Sequence, residues 1–317
     1  MLDRTVSWFV ATVLRLPVDS QWGSVVHFFL TDSIKLIVLL LVMTLLMGVV
    51  RHWIPTERIR ALLVGRGRAF LAYPLAALFG AITPFCSCSS IPLFIGFVSA
   101  GIPLGVTFAF LITSPLVNEV ALVLFVGLFG WEVTALYAGL GILLGIAGGV
   151  ILGRLRLERY VDERIMLTDA PRVAGVPRAP LRDSLPHISR DALQIVKRVL
   201  PFILIGIAIG AVVHGFVPAD AFTLYFAHTG PLAVPIAVLF GIPFYANATS
   251  VLPIVSALIE KGVPLGVALA FMMATVGLSL PEAILLKRVL RTRALVTYFG
   301  VVALGMVLVG YVFLAIS

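Results

Sequence analysis

The chain holds only two cysteines, and they sit one residue apart in Thr83-Pro84-Phe85-Cys86-Ser87-Cys88-Ser89-Ser90, a polar run set in otherwise apolar sequence. Thiolates are soft ligands, suited to thiophilic ions, to trivalent metalloids or to sulfur exchange. A disulfide between them would close too small a loop to constrain the unfolded chain, so the pair serves either packing or reactivity. A second polar run, Pro243-Phe244-Tyr245-Ala246-Asn247-Ala248-Thr249-Ser250, follows later in the chain. Groups of this kind are tolerated at membrane depth where they line a cavity. The candidate substrate-binding residues are therefore Thr83, Cys86, Ser87, Cys88, Ser89 and Ser90 from the first run, with Tyr245, Asn247, Thr249 and Ser250 from the second. An isolated cysteine would read as a small hydrophobe; the polar neighbours tip this pair towards a site.

Acids inside apolar stretches form a second group. Asn118-Glu119 follows Thr113-Ser114-Pro115, and Glu282 follows Ser279-Leu280-Pro281. A carboxylate within a span marks an ion or proton path by default, and Pro115 leaves a carbonyl one turn back unpaired, as a hinge would. Pro115, Asn118, Glu119 and Glu282 are the candidates for coupling or gating, although Glu282 reads as interfacial because Lys287 and Arg288 are close by. Beyond the two thiols, which could ligate a metalloid cargo, no resident metal site and no cofactor are expected. The absence of a Gly-Lys-Ser/Thr phosphate loop disfavours built-in ATP hydrolysis, and no enzymatic activity is expected.

The elements that hold these residues must be membrane helices. Of 317 residues, 61% are hydrophobic and 12% charged, with a mean hydropathy of +1.12. Continuous apolar runs at 36–50, 104–128, 133–153, 199–213 with its flanks, and 294–316 approach or reach the length of a span and lack the alternation of barrel strands. The formal charge of +8 comes from Arg and Lys clustered between those runs, which makes it a topology and headgroup signal and not a nucleic-acid footprint. Residues 6–14 are too short for a signal peptide and lack a cleavage site, so residues 1–24 are expected to form an interfacial segment of a multi-pass protein of the cytoplasmic (inner) membrane. Glycines between 139 and 149 could pack helices within one chain or between copies, which leaves a homo-oligomer open.

An internal repeat organises the chain. At an offset of 161, Phe79-Gly80 falls on Phe240-Gly241, Pro74 on Pro235, Pro92 on Pro253, and Tyr137 on Tyr298. Gly101-Ile102-Pro103-Leu104-Gly105-Val106 falls on Gly262-Val263-Pro264-Leu265-Gly266-Val267. The segment 51–68 is rich in Arg, whereas its counterpart at 214–230 has no Arg or Lys, which is the charge pattern of halves inserted in opposite orientations. Placing 51–68, the basic linker 154–190 and 287–293 all on the cytoplasmic side requires an even number of crossings between the first two. That parity fits if 69–82 and 91–100 are half-length helices of a re-entrant hairpin. The expected fold is thus an all-α integral membrane protein of two inverted-topology repeats, at 25–153 and 191–317, each about three transmembrane helices plus one re-entrant half-helix hairpin. Eight plain transmembrane helices are the alternative. In the hairpin fold the two polar runs are the tips and meet near the midplane.

These residues resemble the predicted permeases of the YraQ/ArsP type, which carry a Thr-Pro-Phe-Cys-Ser-Cys-Ser motif. The resemblance rests on Thr83 to Ser89, on Gly101 to Gly105, on Ser114-Pro115-Leu116-Val117-Asn118-Glu119, on Ile242 to Asn247, and on Leu280-Pro281-Glu282. It implies efflux of trivalent organoarsenicals such as methylarsenite, an arsenic-resistance activity, with Cys86 and Cys88 as metalloid ligands. Residue chemistry alone also admits a transporter of a sulfur-containing anion such as thiosulfate. A transmembrane thiol redox carrier is a third reading; carriers resembling CcdA place one cysteine in each inverted half, whereas both lie in one half here. A channel fits less well, since no ring of acids lines either run.

Overall fold

The computed structural model describes residues 2–53 without 14, 18 and 19; 69–83; 87–99; 101–161; part of 185–211; 230–243; and 248–316 without 288. Cys86, Tyr245 and Asn247 lie outside the described residues, as do most of the basic linker, the Arg-rich 54–68 and its counterpart up to 229. Among the described residues regular structure is helical, apart from one isolated antiparallel bridge between Val161 and Leu290. Among the described residues four helical stretches are long and apolar enough to cross a membrane: Gln21–Leu46, Ala121–Arg154, Leu265–Leu286 and Thr292–Ile316.

Helix α1 (Leu2–Thr12) is separate from α2 (Gln21–Trp53) and packs on it. It buries Val6 and Val10 while leaving Trp8 and Phe9 exposed, and Lys35 of α2 pairs with Asp3 at 3.5 Å. The first apolar helix therefore begins well before the run at 36–50 that marks it in the sequence. Nothing between Gln21 and Trp53 breaks a helix, because the stretch contains no proline.

The remaining elements form two sets. In the first, α3 (Ala69–Ile82) and α4 (Ser87–Ser99) both pack on α5 (Leu104–Leu116), which lies along α6 (Glu119–Arg154). In the second, α7 (Ala233–Gly241) and α8 (Ala248–Glu260) both pack on α9 (Leu265–Gly277), which lies on α11 (Thr292–Ile316); α10 (Leu280–Leu286) continues α9 after a break. The helix α6 is itself interrupted at Gly130, whose φ of 80° and ψ of 175° are not helical. The sequence signal of two runs, 104–128 and 133–153, thus corresponds to α5 with the start of α6, then the rest of α6.

The same local contacts recur 161 residues apart. After α4, Gly101 N–H donates to the Val98 carbonyl (3.0 Å) and Ile102 N–H to Phe97 (3.1 Å). After α8, Gly262 N–H donates to Ile259 (2.9 Å) and Val263 N–H to Leu258 (3.0 Å). This helix-ending bond pair needs a left-handed residue, and the two glycines supply it with φ of 77° and 92°. Pro103 and Pro264, extended at ψ 134° and 139°, then start α5 and α9. A Cβ on Gly80 would press on the Phe110 carbonyl and Ser114 N; one on Gly241 would press on the Phe271 carbonyl and Thr275 N. Gly105 abuts Gly149 and Gly153, as Gly266 abuts Gly310 and Leu314.

One continuous core joins both sets, with Phe94, Phe108 and Tyr137 in the same cluster as Val234, Phe271 and Tyr298. Two contacts across the join pair a residue with its own counterpart at the 161 offset: Leu144 lies over Gly305, and Leu116 over Gly277. At one end of the molecule Arg291 N–H donates to the Tyr160 carbonyl at 2.8 Å, beside the Val161–Leu290 bridge. The basic start of the linker and the basic segment before α11, expected on one side, meet there.

The α5–α6 crossing depends on backbone contact, since a Cβ at position 105 would sit 2.7 Å from Gly153 Cα and 2.8 Å from the Gly149 carbonyl oxygen. Gly105→Val is expected to lower stability by about 1–3 kcal/mol through overpacking. Gly139→Ala, which meets nothing within 4 Å, should be neutral or stabilising by a few tenths of a kcal/mol up to about 1. Thermal unfolding of detergent-purified protein, with the size-exclusion profile, checks both.

Candidate functional site

The first polar run begins where α3 stops. Thr83 closes that helix: its N–H donates to the Phe79 carbonyl at 3.2 Å and its hydroxyl to the same oxygen at 2.7 Å. The Thr83 side chain, a candidate for binding substrate, is thus already engaged by its own helix. Ser87, Cys88 and Ser89 open α4. Ser90 follows, fully buried, with its hydroxyl 2.7 Å from that of Ser114 on α5. Two buried hydroxyls that satisfy each other tie the start of α4 to α5, so Ser90 holds the first run in place. In the second run, Thr249 and Ser250 occupy the first turn of α8.

Helix breaks lie opposite these starts. Thr113 donates to the Ala109 carbonyl (2.9 Å), and Val117 N–H returns to the Thr113 carbonyl (2.9 Å), bridging over Pro115, which has no N–H to give. The α5 helix ends there, and α6 starts anew at Glu119 after Asn118. The Leu116 carbonyl, freed by the break, accepts the Tyr137 hydroxyl at 3.1 Å. At the matching break in the second half, Leu278 N–H donates to Ala274 (2.9 Å), and α10 starts at Leu280, whose N–H donates to the Ile242 carbonyl (3.0 Å). Ile242 immediately precedes the second polar run.

The helices that follow the two runs are each braced by a broken helix of the other half. α4 packs on α10, which carries Glu282; α8 packs on α6, which begins with Glu119. Glu119 is half-buried, and one of its oxygens, Oε2, is buried without a hydrogen-bond partner among the described residues. Glu282, which precedes the exposed Lys287 in the sequence, is 1% exposed, with α10 packed on α4 and bonded to the end of α7. Among the described residues no group of three or more His, Cys, Asp or Glu side chains could hold a metal ion. Tyr137, Ser114 and Tyr298 were given no role from sequence, although the two tyrosines are one of the pairs that define the repeat.

A family model described as a predicted permease, ArsP_1, matches residues 21–315. The chain is 24% identical to UPF0718 protein MJ0584 of Methanocaldococcus jannaschii, over 77% of this chain and 82% of that protein. It is 28% identical to UPF0718 protein YcgR of Bacillus subtilis, over 60% of this chain and 63% of that protein. No solved structure matches.

The two tyrosines give a paired test. Tyr137→Phe removes the donor from a buried carbonyl and is expected to destabilise by about 1–3 kcal/mol. Tyr298→Phe has no hydrogen bond to lose among the described residues and should leave the melting temperature nearly unchanged. Thermal unfolding of both variants alongside the unaltered protein measures the difference.

Proposed function

We propose a cargo on the premise that this chain belongs to the ArsP_1 family of predicted permeases: a small thiophilic solute, foremost a trivalent organoarsenical, expelled through a midplane site between the two polar runs. Membership makes the protein a membrane permease, a transporter of small molecules held in a lipid bilayer. The cytoplasmic (inner) membrane, the efflux direction and the arsenic-resistance role are parts of the proposal.

The site architecture we infer is a pair of re-entrant hairpins, α3–α4 and α7–α8, in two inverted halves at 25–153 and 191–317, joined by the linker 154–190 and preceded by an interfacial segment at 1–24. Several observations support it. The helices α3, α4 and α8 have 14, 13 and 13 residues, or about 20 Å each at ~1.5 Å per residue, short of a ~30 Å hydrocarbon core. The last part of α6 ends where α11, its counterpart, begins, so equivalent helices run in opposite directions. Counterpart residues touching each other, Leu144 with Gly305 and Leu116 with Gly277, are what a two-fold axis in the membrane plane produces. Substrate sites of such transporters lie at the interface of the halves, where irregular backbone lines a cavity.

The observation that carries the cargo reading is the soft-donor pair Cys86 and Cys88 in the first run; in the proposed site it faces the second run, whose sequence offers Tyr245, Asn247, Thr249 and Ser250 at equivalent positions or beside them. One wall supplies sulfur and the other oxygen and amide groups. A carrier must release its cargo, so one sulfur assisted by weaker oxygen donors, or exchange between the two sulfurs, suits transport better than a permanent dithiolate chelate. Ser87, Ser89 and Thr83 flank the thiols, and Pro115 with Asn118 and Glu119 form the break that lets α5 and α6 move relative to each other.

Cys86→Ser and Cys88→Ser, made separately in cells challenged with methylarsenite, should each lower resistance, by about tenfold for the loss of a ligand worth ~1.4 kcal/mol. Full resistance in both variants at equal expression would remove the thiols from the mechanism.

A further inference from the structure

The second half encloses a polar cluster that the cargo site leaves unused. Glu282 on α10 is 1% exposed, and neither carboxylate oxygen has a hydrogen-bond partner among the described residues. Tyr298 on α11 and Ser279 before α10 are fully buried, and their hydroxyls are likewise without partners among those residues. Leu286 of α10 and Tyr298 belong to the same buried core, and no hydrogen bond joins the Glu282 carboxylate to the Tyr298 hydroxyl.

The first half serves as an internal control. At the 161 offset Tyr298 corresponds to Tyr137, whose hydroxyl is satisfied by the Leu116 carbonyl at 3.1 Å. Glu282 corresponds to Ala121, an apolar core residue. The second half thus departs from the shared plan twice in one place, by introducing an acid and by leaving a phenol hydroxyl without the bond its counterpart makes. An enclosed ionised carboxylate with no donor is strongly disfavoured, whereas a protonated one is neutral and has an O–H to give.

The surrounding elements carry other titratable groups. α10 touches α4, the end of α7 at Ile242, and the cluster in which Leu285 meets Leu36 and Leu40 of α2 with Val196 and Ile207. The titratable or charged groups on those elements are Cys88 on α4, His27, Asp32, Lys35, Arg51 and His52 on α2, Lys197 beside Val196, and Arg291, Arg293, Tyr298 and Tyr311 at α11, with Lys287 and Arg288 just after α10 in the sequence. Lys35, Lys197 and Lys287 are exposed, and Lys35 pairs with Asp3.

We propose that Glu282 carries the proton that drives the transport cycle. In one state of the carrier a hydronium from the water on one side protonates the carboxylate; in the other state the carboxylic acid returns that proton to water on the opposite side. α10 conveys the change to both polar runs, since it bonds the residue before the second run and packs on the helix that follows the first. Admitting water to Glu282 displaces the elements that frame the cargo. The inference rests on the permease reading and is independent of which solute is moved.

The test uses the full chain in liposomes and has two arms. Without cargo, infrared difference spectra across a pH jump should show a protonated-carboxyl band that is absent in Glu282→Gln and present in Glu282→Asp. A spectrum unchanged by Glu282→Gln overturns the proposal. With methylarsenite and thiosulfate as probes, Glu282→Gln should retain solute-for-solute exchange while losing accumulation driven by a pH gradient by about tenfold or more. Undiminished gradient-driven accumulation, or equal loss of both activities, overturns it. If the unaltered protein moves neither probe, the cargo reading fails and the infrared arm decides this one.

Discussion

Lipid offers no hydrogen bonds, so every interruption of a helix inside the bilayer must find its partners within the protein. The architecture of this chain follows from that constraint. It contains breaks at 117–118 and 278–279 and ends of short helices at Thr83 and Ile242. Each is closed locally: Thr83 folds its hydroxyl back on Phe79, Val117 and Leu278 turn back to Thr113 and Ala274, Tyr137 caps the Leu116 carbonyl, and Leu280 takes up the Ile242 carbonyl. The last of these bonds reaches from one broken element to another. It ties the start of the second polar run to the helix break at 278–279.

Close helix contact is the second requirement, because apolar side chains gain little by leaving lipid for one another. The α5–α6 and α9–α11 crossings meet it with glycines that bring backbone against backbone. Aromatic rings fill the space between the halves: Phe94 against Phe108 and Phe108 stacked on Tyr298, each with centroids 5.3 Å apart. Phe108 therefore links the helix after the first polar run to Tyr298 of α11.

What could be read from sequence was whatever depends on composition, spacing and covalent type. The repeat, the short helices flanking Thr83 and Ile242, and the polar runs all leave marks of that kind, chiefly prolines and glycines at fixed offsets. The long α2 was underestimated because its first fifteen residues carry Gln21, Ser24, His27, Asp32, Ser33 and Lys35, which interrupt an apolar run without interrupting a helix. The burial of Glu282 leaves no mark in the sequence for a different reason. Proximity to Lys287 and Arg288 along the chain signals an interface, but α10 ends at Leu286 and its direction is set by contacts with α4 and Ile242, both distant in sequence. The Ser90–Ser114 bond is equally tertiary: hydroxyls 24 residues apart meet only once α4 and α5 are folded together.

On the inverted-repeat reading, the matched local contacts of the two halves and the divergence of their side chains have separate physical purposes. Matched contacts at the 161 offset make the two halves exchangeable in shape, so outward- and inward-facing arrangements can lie close in free energy, as a carrier requires. A chain symmetric in chemistry as well would have no means of linking one arrangement to cargo and the other to a driving ion. This chain places Cys86 and Cys88 where the other half has Asn247 and Thr249, and Glu282 where the other half has Ala121. The two thiols lie in one half and the fully buried acid in the other, with α10 and α4 in contact between them. Occupation of either site then changes the energy of the same set of contacts, and two tasks on one scaffold become a single cycle.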